Sequence, residues 1–281
     1  MTSTPAPSGN TCYRHPDRES YVRCQRCGRT ICPQCQTQAA VGVQCPECVR
    51  EGRASAPRTQ PAIVTAIRRP GAPVVTYAII ALCVLVFLVE LLVPVSRQYL
   101  PYRPALTLIT PWTLVTSMFT HSLAFPFLHI IFNMLTLFLF GRVLEPALGR
   151  GRFLGLYLLS GLGGSVAVML LQPNGSVIGA SGAIFGLLAA FFVIQRKLGF
   201  SNPSLLILIA INLGIGFILP GISWQAHVGG LVVGAVVALI YMRTRSRAQR
   251  NLQILLTAGV GVALVVILLG VGTALGRFVT L

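Results

Sequence analysis

Four polar side chains occur at the starts of long apolar segments, where such groups are rare. Ser181 lies in the sequence Gly-Ala-Ser-Gly and His227 in Ala-His-Val-Gly-Gly, while His129 precedes Asn133 by four residues. Residues four apart share one face of a helix, so His129 and Asn133 are expected side by side. A serine hydroxyl is a weak nucleophile and needs an adjacent base, which is usually histidine. The residue types therefore indicate Ser181 as a nucleophile and His227 as its base.

Attack by a serine on a carbonyl group creates an oxyanion, which needs hydrogen-bond donors. The backbone N–H of Ser181, the ring of His129 and the amide of Asn133 are the candidate donors. Small residues at Gly179 and Gly182 leave room for a substrate backbone beside the hydroxyl. The chain contains one aspartate, Asp17, far from these segments, so a dyad is expected rather than a triad.

The sequence leaves one alternative, in which a carboxylate is a third member of the site. Glu90 lies near the outer end of the first apolar segment and remains an alternative, whereas Glu145 lies at the inner end of the second. Each polar residue also has an ordinary explanation. Serine in a membrane helix usually bonds to the backbone, glycines permit close packing, and histidine can serve as a proton relay. Alternate apolar segments enter the membrane from the same side, so the four groups are expected at a similar depth. Their convergence there makes the separate explanations jointly less favourable.

The composition places the chain in a membrane. Hydrophobic residues make up 54% and charged residues 10% of the sequence, against about 25% charged residues in soluble proteins. A soluble enzyme is thereby excluded, and an all-α polytopic membrane protein is predicted. Seven apolar runs are long enough to span a bilayer. They lie near 73–95, 127–147, 153–171, 177–195, 204–220, 224–242 and 253–275.

The distribution of basic residues predicts the orientation of the chain. With the N-terminus in the cytoplasm, nine basic residues fall in inner loops and three fall outside. The inner residues are Arg142, Arg150, Arg152, Arg196, Lys197, Arg243, Arg245, Arg247 and Arg250. We therefore expect a multi-pass plasma membrane protein with its C-terminus and the opening of the polar cluster outside. Basic residues scattered between apolar runs do not form a phosphate-binding stripe, so nucleic-acid binding is not expected despite a net charge of +16.

Seven of the eight cysteines lie ahead of the first apolar run. Together with one histidine they form four pairs with two-residue spacers, Cys12 and His15, Cys24 and Cys27, Cys32 and Cys35, Cys45 and Cys48. Eight such ligands suit two tetrahedral zinc ions without an open position, so both sites are expected to be structural. A reducing cytoplasm disfavours the alternative of disulfides. Cys83, within the first apolar run, is expected to pack as an apolar residue.

The order of these pairs resembles B-box and RING-like cross-brace fingers. That resemblance implies that the first and third pairs share one zinc ion and the second and fourth pairs share the other, although a sequential arrangement stays open. Four regions are predicted: a zinc-binding domain at 1–51, a flexible linker at 52–72, a membrane core at 73–250, and a seventh helix with a tail at 251–281. Recruitment of a cytoplasmic protein partner is one role for the first region, and internal regulation is another.

The three motifs around His129, Ser181 and His227, with Gly234 following, resemble those of rhomboid intramembrane serine proteases over about 73–243. The seventh apolar run is similar to the six-plus-one form of some rhomboids. Fusion to a cysteine-rich finger is similar to a group of actinobacterial members. The resemblance implies a six-helix core with one further helix, transmembrane protein substrates within the lipid bilayer, and no cofactor for catalysis.

The resemblance also implies roles for individual residues. Ser181 would attack a peptide bond in or near a transmembrane segment, with His227 as base and then acid. His129, Asn133 and the Ser181 N–H would stabilise the oxyanion. Phe185 would pack against the catalytic histidine, and Gly230 would let two helices approach closely.

The first outer loop departs from the family pattern. The chain has Trp112-Thr113 where the family usually has Trp-Arg. Weaker anchoring of that loop is expected unless Arg103 compensates, and His121 is expected to support the loop. Two rival functions remain: a catalytically silent scaffold that binds membrane helices, and a transporter that uses the histidines as a proton path. A transporter predicts an inverted repeat, which is not seen in the sequence.

Overall fold

The computed structural model describes residues 10–55, 71–124, 127–200, 203–218 and 221–279. The chain divides into two compact units, Met1–Thr65 and Ala66–Leu281. In the first unit, β1 (Thr37–Gln38) pairs antiparallel with β2 (Val43–Gln44), and α1 (Pro46–Ser55) follows. Its core consists of Ile31 and six buried cysteines. A core this small needs further cross-links for stability. Most of the predicted linker, residues 56–70, lies outside the described residues.

The second unit is helical. Its helices are α2 (Val74–Leu92), α3 (Thr113–Thr116), α4 (Leu128–Leu148), α5 (Arg150–Leu171), α6 (Ser181–Lys197), α7 (Pro203–Ile218), α8 (Trp224–Arg243) and α9 (Arg250–Val279). Each of the seven predicted apolar runs overlaps one of these helices, although α6 begins at Ser181, four residues after the start of the predicted run. The predicted all-α polytopic architecture is confirmed.

The helices of the membrane unit differ in length. Among the described residues, five segments are long and apolar enough to cross a bilayer: Val74–Leu92, Leu128–Leu148, Arg150–Leu171, Trp224–Arg243 and Arg247–Leu275. Helices α6 and α7 are shorter, with 17 and 16 residues. Helix α6 begins directly at the polar residue Ser181.

Helices α5, α6 and α8 pack closely through glycines. A Cβ atom on Gly230 of α8 would collide with the carbonyl oxygen of Gly182 on α6, and one on Gly234 would collide with the backbone of Gly186. On the other side of α8, Gly229 abuts the carbonyl of Gly163 on α5. Small residues allow such approach where lipid provides no hydrophobic drive for association. The N-terminal ends of α6 and α8 are thereby held side by side.

A buried carboxylate joins α2 to α4. Glu145, near the end of α4, accepts the backbone N–H groups of Val75 and Thr76 at 2.9 and 2.7 Å, and the Thr76 hydroxyl at 2.8 Å. The first N–H groups of a helix lack partners within the helix, and burial without partners would be unfavourable. Glu145 supplies these partners and fixes the start of α2 against α4.

The last helix packs on the core. At the junction between α8 and α9, the Gln253 amide donates to the carbonyl and the hydroxyl oxygen of Thr244 at 3.1 and 2.8 Å. Further along α9, Leu264 and Leu268 are buried in a cluster with Tyr102 of the loop after α2. Helix α9 therefore supports the same loop that lies beside the polar cluster.

Candidate active site and metal centres

Ser181 and His227 meet where α6 and α8 begin. Ser181 is the first residue of α6 and His227 the fourth of α8. The Ser181 Oγ and His227 Nε2 atoms are 2.9 Å apart, a hydrogen-bond distance. With the hydroxyl as donor, the imidazole is placed to take its proton.

The ring of His227 is oriented by packing. Phe185, one turn after Ser181 on α6, stacks on the imidazole with ring centroids 4.1 Å apart and planes inclined by 12°. The Nδ1 atom of His227 is buried and has no hydrogen-bond partner among the described residues. Glu90, the alternative third member, accepts instead the backbone N–H of His121 at 3.4 Å. Among the described residues, no carboxylate joins the Ser181–His227 pair as a third member.

His129 lies beside the turn at Gly179 that precedes Ser181. Its Nδ1 accepts the backbone N–H of Ser122 at 3.1 Å, so the neutral ring carries its proton on Nε2. A Cβ atom on Gly179 would lie 2.8 Å from that Nε2 and 3.7 Å from the Ser181 Oγ. The Nε2 atom of His129 therefore lies beside the turn that carries Ser181 and is a candidate hydrogen-bond donor there.

Asn133 is one turn after His129 on α4 and is also buried. Its amide donates to the His129 carbonyl at 2.7 Å, within the same helix. The amide therefore supports the helical turn that carries His129, and a role as an oxyanion donor requires its second N–H.

The turn before Ser181 requires glycine. Gly179 has a φ of +113°, which side chains disfavour, and the His129 ring fills the space of a Cβ atom. The Gly179 N–H donates to the Ser117 carbonyl at 2.9 Å, and Val177 pairs with Tyr102 through two backbone hydrogen bonds of 2.9 and 3.0 Å. The turn is thus fixed from both sides, and the first N–H groups of α6, which have no partner within the helix, begin at Ser181.

The loop between α2 and α3 is anchored by side chains other than Arg103, the residue that could compensate for the missing family arginine. The Trp112 indole donates to the Tyr99 carbonyl at 3.0 Å, and the Thr116 hydroxyl donates to the Leu100 carbonyl at 2.9 Å. Arg103 is exposed, and its side chain makes no hydrogen bond or ion pair with the described residues. The sequence drew attention to Trp112 only through the Trp-Thr pair and did not single out Thr116, because the partners of both side chains are backbone carbonyls.

His121 and Glu90 support the segment that holds His129. Both are buried, with 2% and 3% exposure. Glu90 accepts the His121 N–H, and the next residue, Ser122, donates to His129. The rings of His121 and His129 are 5.3 Å apart. Glu90 thus acts on the candidate oxyanion donor through a two-residue segment.

The eight predicted metal ligands form two groups in the first unit. Cys12, His15, Cys32 and Cys35 form one, and Cys24, Cys27, Cys45 and Cys48 form the other. Within each group the ligand atoms lie within 4.8 Å of one another. Each group joins alternate pairs along the chain, which is the cross-brace order. Sulfur and imidazole donors at this spacing fit a tetrahedral metal ion, and either group could hold one.

The pKa values of the thiols within these groups differ, some being lowered and others raised. Burial opposes ionisation of Cys12, but backbone N–H groups of Cys32 and Arg14 outweigh it and lower the pKa to about 6. For Cys35, burial and the neighbouring sulfurs of Cys12 and Cys32 raise the pKa to about 11. In the absence of a bound cation, one ionised thiol therefore opposes ionisation of its neighbour. A bound dication would allow all the sulfurs to ionise.

Comparison with known proteins identifies the family. The model of the rhomboid domain matches residues 110–244. The chain is 34% identical over 142 residues to a putative rhomboid protease of Bacillus subtilis, YdcA, a match covering 48% of this chain and 70% of that protein. The chain belongs to the rhomboid family and is a multi-pass membrane protein, so the family expected from the sequence motifs is confirmed.

Two further relatives are longer than the region they share with this chain. The rhomboid protease GluP of Bacillus subtilis is 38% identical over 132 residues, covering 45% of this chain and 25% of GluP. The mitochondrial RHOMBOID-like protein 6 of Arabidopsis thaliana is 36% identical over 138 residues, covering 47% of this chain and 44% of that protein. The chain thus matches less than half the length of these two proteins.

Proposed function

We propose that the chain is an intramembrane serine endopeptidase that hydrolyses peptide bonds in or near transmembrane segments of other proteins. The observation that carries this proposal is the 2.9 Å separation of the Ser181 Oγ and His227 Nε2 atoms. Membership of a family whose named relatives include proteases supports it.

In the proposed reaction, His227 Nε2 takes the hydroxyl proton while Ser181 Oγ bonds to the carbonyl carbon. The resulting oxyanion accepts hydrogen bonds from the Ser181 backbone N–H and the His129 Nε2–H, with Asn133 as a further donor. Collapse of this intermediate breaks the C–N bond, and the leaving amine receives the proton from His227. Water, deprotonated by His227, then attacks the acyl-enzyme and releases the acid and Ser181.

We further propose that the N-terminus lies in the cytoplasm and that the site opens toward the outside of the plasma membrane. The site occupies the N-terminal ends of α6 and α8, so Arg196, Lys197 and Arg243 lie at the opposite ends of these helices. Basic residues favour the cytoplasmic side. A membrane-impermeant maleimide should therefore label Arg103→Cys in intact cells and leave Arg196→Cys unlabelled.

For the first unit we propose two structural zinc ions, held by the two groups of ligands. Zinc would cross-link a unit whose core is otherwise small. The function of this unit would be to recruit a cytoplasmic protein or the tail of a substrate. Deleting residues 1–60 should then change which substrates are cleaved but preserve cleavage of a minimal one.

The test of the proposed activity is cleavage of a single-span reporter by the full chain in membranes. Ser181→Ala and His227→Ala should each reduce cleavage at least about 1,000-fold at equal expression. Ser204→Ala, which removes an exposed hydroxyl at the start of α7, should leave cleavage unchanged. Cleavage that survives Ser181→Ala would exclude that serine as the nucleophile. Binding of the reporter by a wild-type chain that never cleaves it would favour the silent scaffold.

A further inference from the structure

A groove lies between α8 and α9 at the end of the bundle remote from Ser181. Its volume is about 220 Å³, and it is lined by Val236, Leu239, Ile240, Arg243, Thr244 and Leu256. Four of these side chains are aliphatic. Val236 and Leu256 are each 42% exposed, so the apolar wall is open at the side of the bundle. The aliphatic side chains offer an apolar surface to part of a hydrocarbon chain.

The mouth of the groove is strongly basic. Arg243 lines it, and the connection to α9 adds Arg245, Arg247 and Arg250, all exposed. No acidic residue follows Glu145 in the sequence. The ion pairs found among the described residues are both in the first unit. These four guanidinium groups therefore lack a carboxylate partner within the described chain.

Hydrogen bonds hold Thr244, one of the residues that line the groove, in place. The Thr244 hydroxyl donates to the Ile240 carbonyl at 2.6 Å and accepts from the Gln253 amide at 2.8 Å. These bonds fix the junction of α8 with α9 independently of the arginines. The positive end of the α9 dipole also lies at this junction. A topology signal alone requires basic residues, but it requires neither a groove nor a fixed junction.

We propose that this groove binds an anionic phospholipid. The phosphate would accept hydrogen bonds from Arg243 and the neighbouring arginines, and one acyl chain would lie along the aliphatic wall. Guanidinium groups bind phosphate through paired, charge-assisted hydrogen bonds. Basic pockets between membrane helices at the headgroup level bind acidic lipids. The lipid would link α9 to α8, and through α9 it would support the outer loop that contacts it.

The test is native mass spectrometry of the full chain in a neutral detergent, with equimolar phosphatidylglycerol and phosphatidylcholine. The wild type should retain phosphatidylglycerol in preference, and Arg243→Gln should reduce that preference about fivefold. Arg196→Gln removes an exposed charge at the same end of the bundle but outside the groove. This variant should keep the preference for phosphatidylglycerol. Leu256→Ala should weaken retention of both lipids without changing the preference.

Three results would overturn the proposal. The first is equal preference in the wild type and Arg243→Gln. The second is an equal loss in Arg196→Gln, which would indicate a general effect of charge. The third is displacement of the lipid by millimolar inorganic phosphate, which would indicate an anion site without a lipid. If Arg243→Gln does not fold, Arg245→Gln combined with Arg247→Gln applies the same test outside the helix.

Discussion

Phe185 and His227 stack face to face, with ring centroids 4.1 Å apart and planes inclined by 12°. The stack covers one face of the imidazole and leaves its Nε2 edge toward Ser181 at 2.9 Å. The Nδ1 atom, which a carboxylate holds in a triad, has no hydrogen-bond partner among the described residues. Aromatic packing therefore orients this ring.

Loss of the aromatic face at position 185 should lower the rate of the reaction. Phe185→Leu should reduce kcat by about 10- to 100-fold with a smaller change in KM, because the base is less well positioned. Phe191 is on the same helix as Phe185 but lies away from the dyad, and its ring pairs with Phe140 of α4. Phe191→Leu is therefore the matched control. Cleavage assays in proteoliposomes would measure both. Equal kcat values for the two variants would contradict the positioning role.

Close packing of α6 and α8 should depend on Gly230. Gly230→Ala would place a methyl group against the Gly182 carbonyl, and overpacking of this kind costs about 1–3 kcal/mol. The midpoint of thermal unfolding in detergent should therefore fall, together with activity. Gly259→Ala on α9 faces open space and should leave the midpoint unchanged or higher. An unchanged midpoint in Gly230→Ala would show that the two helices are not in this contact.

Glu90 should support His129 indirectly, because it accepts the His121 N–H and the next residue, Ser122, donates to His129. Glu90→Leu removes the acceptor of the His121 N–H and should lower kcat about tenfold. Glu90→Gln retains an acceptor oxygen and should recover most of that loss. The measurement is kcat and KM for both variants. If Gln is as defective as Leu, the charge of Glu90 matters rather than its hydrogen bond.

The apolar runs were predicted from the sequence because a membrane helix is specified by local composition. Contacts between distant segments were not. Glu145 binds the start of α2 about 70 positions earlier, and Trp112 binds the Tyr99 carbonyl. Neither partner is marked by its residue type, because each accepting or donating group belongs to the backbone. The contact of Glu90 with the His121 N–H could not be predicted for the same reason, since the donor is a backbone group.

The candidate site was easier to predict than its supports. Ser181, His227 and His129 stand out because polar groups are rare in membrane helices. Their common depth follows from counting spans. Their approach depends on Gly230 and Gly234, whose motifs indicate close packing without naming the opposing residues. The expected anchoring by Arg103 had no contact in the structure, since a charged side chain in a loop has many possible partners.

The first unit should bind two zinc ions per chain. Cys24→Ser removes one ligand from one group and should lower the zinc content of the purified chain from two ions to about one. Cys83→Ser is the control, because Cys83 is buried in α2, outside both groups. Elemental analysis with protein quantification gives the ratio. An equal ratio in the wild type and Cys24→Ser would contradict the assignment of these ligands.

Activation of Ser181 by His227 is the central claim, and covalent labelling tests it most directly. The wild-type chain in membranes would be treated with a fluorophosphonate, which phosphonylates activated serines, and the modified residue would be mapped by mass spectrometry. We expect a single adduct on Ser181, with labelling at least about 100-fold slower in His227→Ala. Labelling of Ser181 at the same rate in His227→Ala, or an adduct elsewhere in a chain that cleaves the reporter, would contradict the dyad.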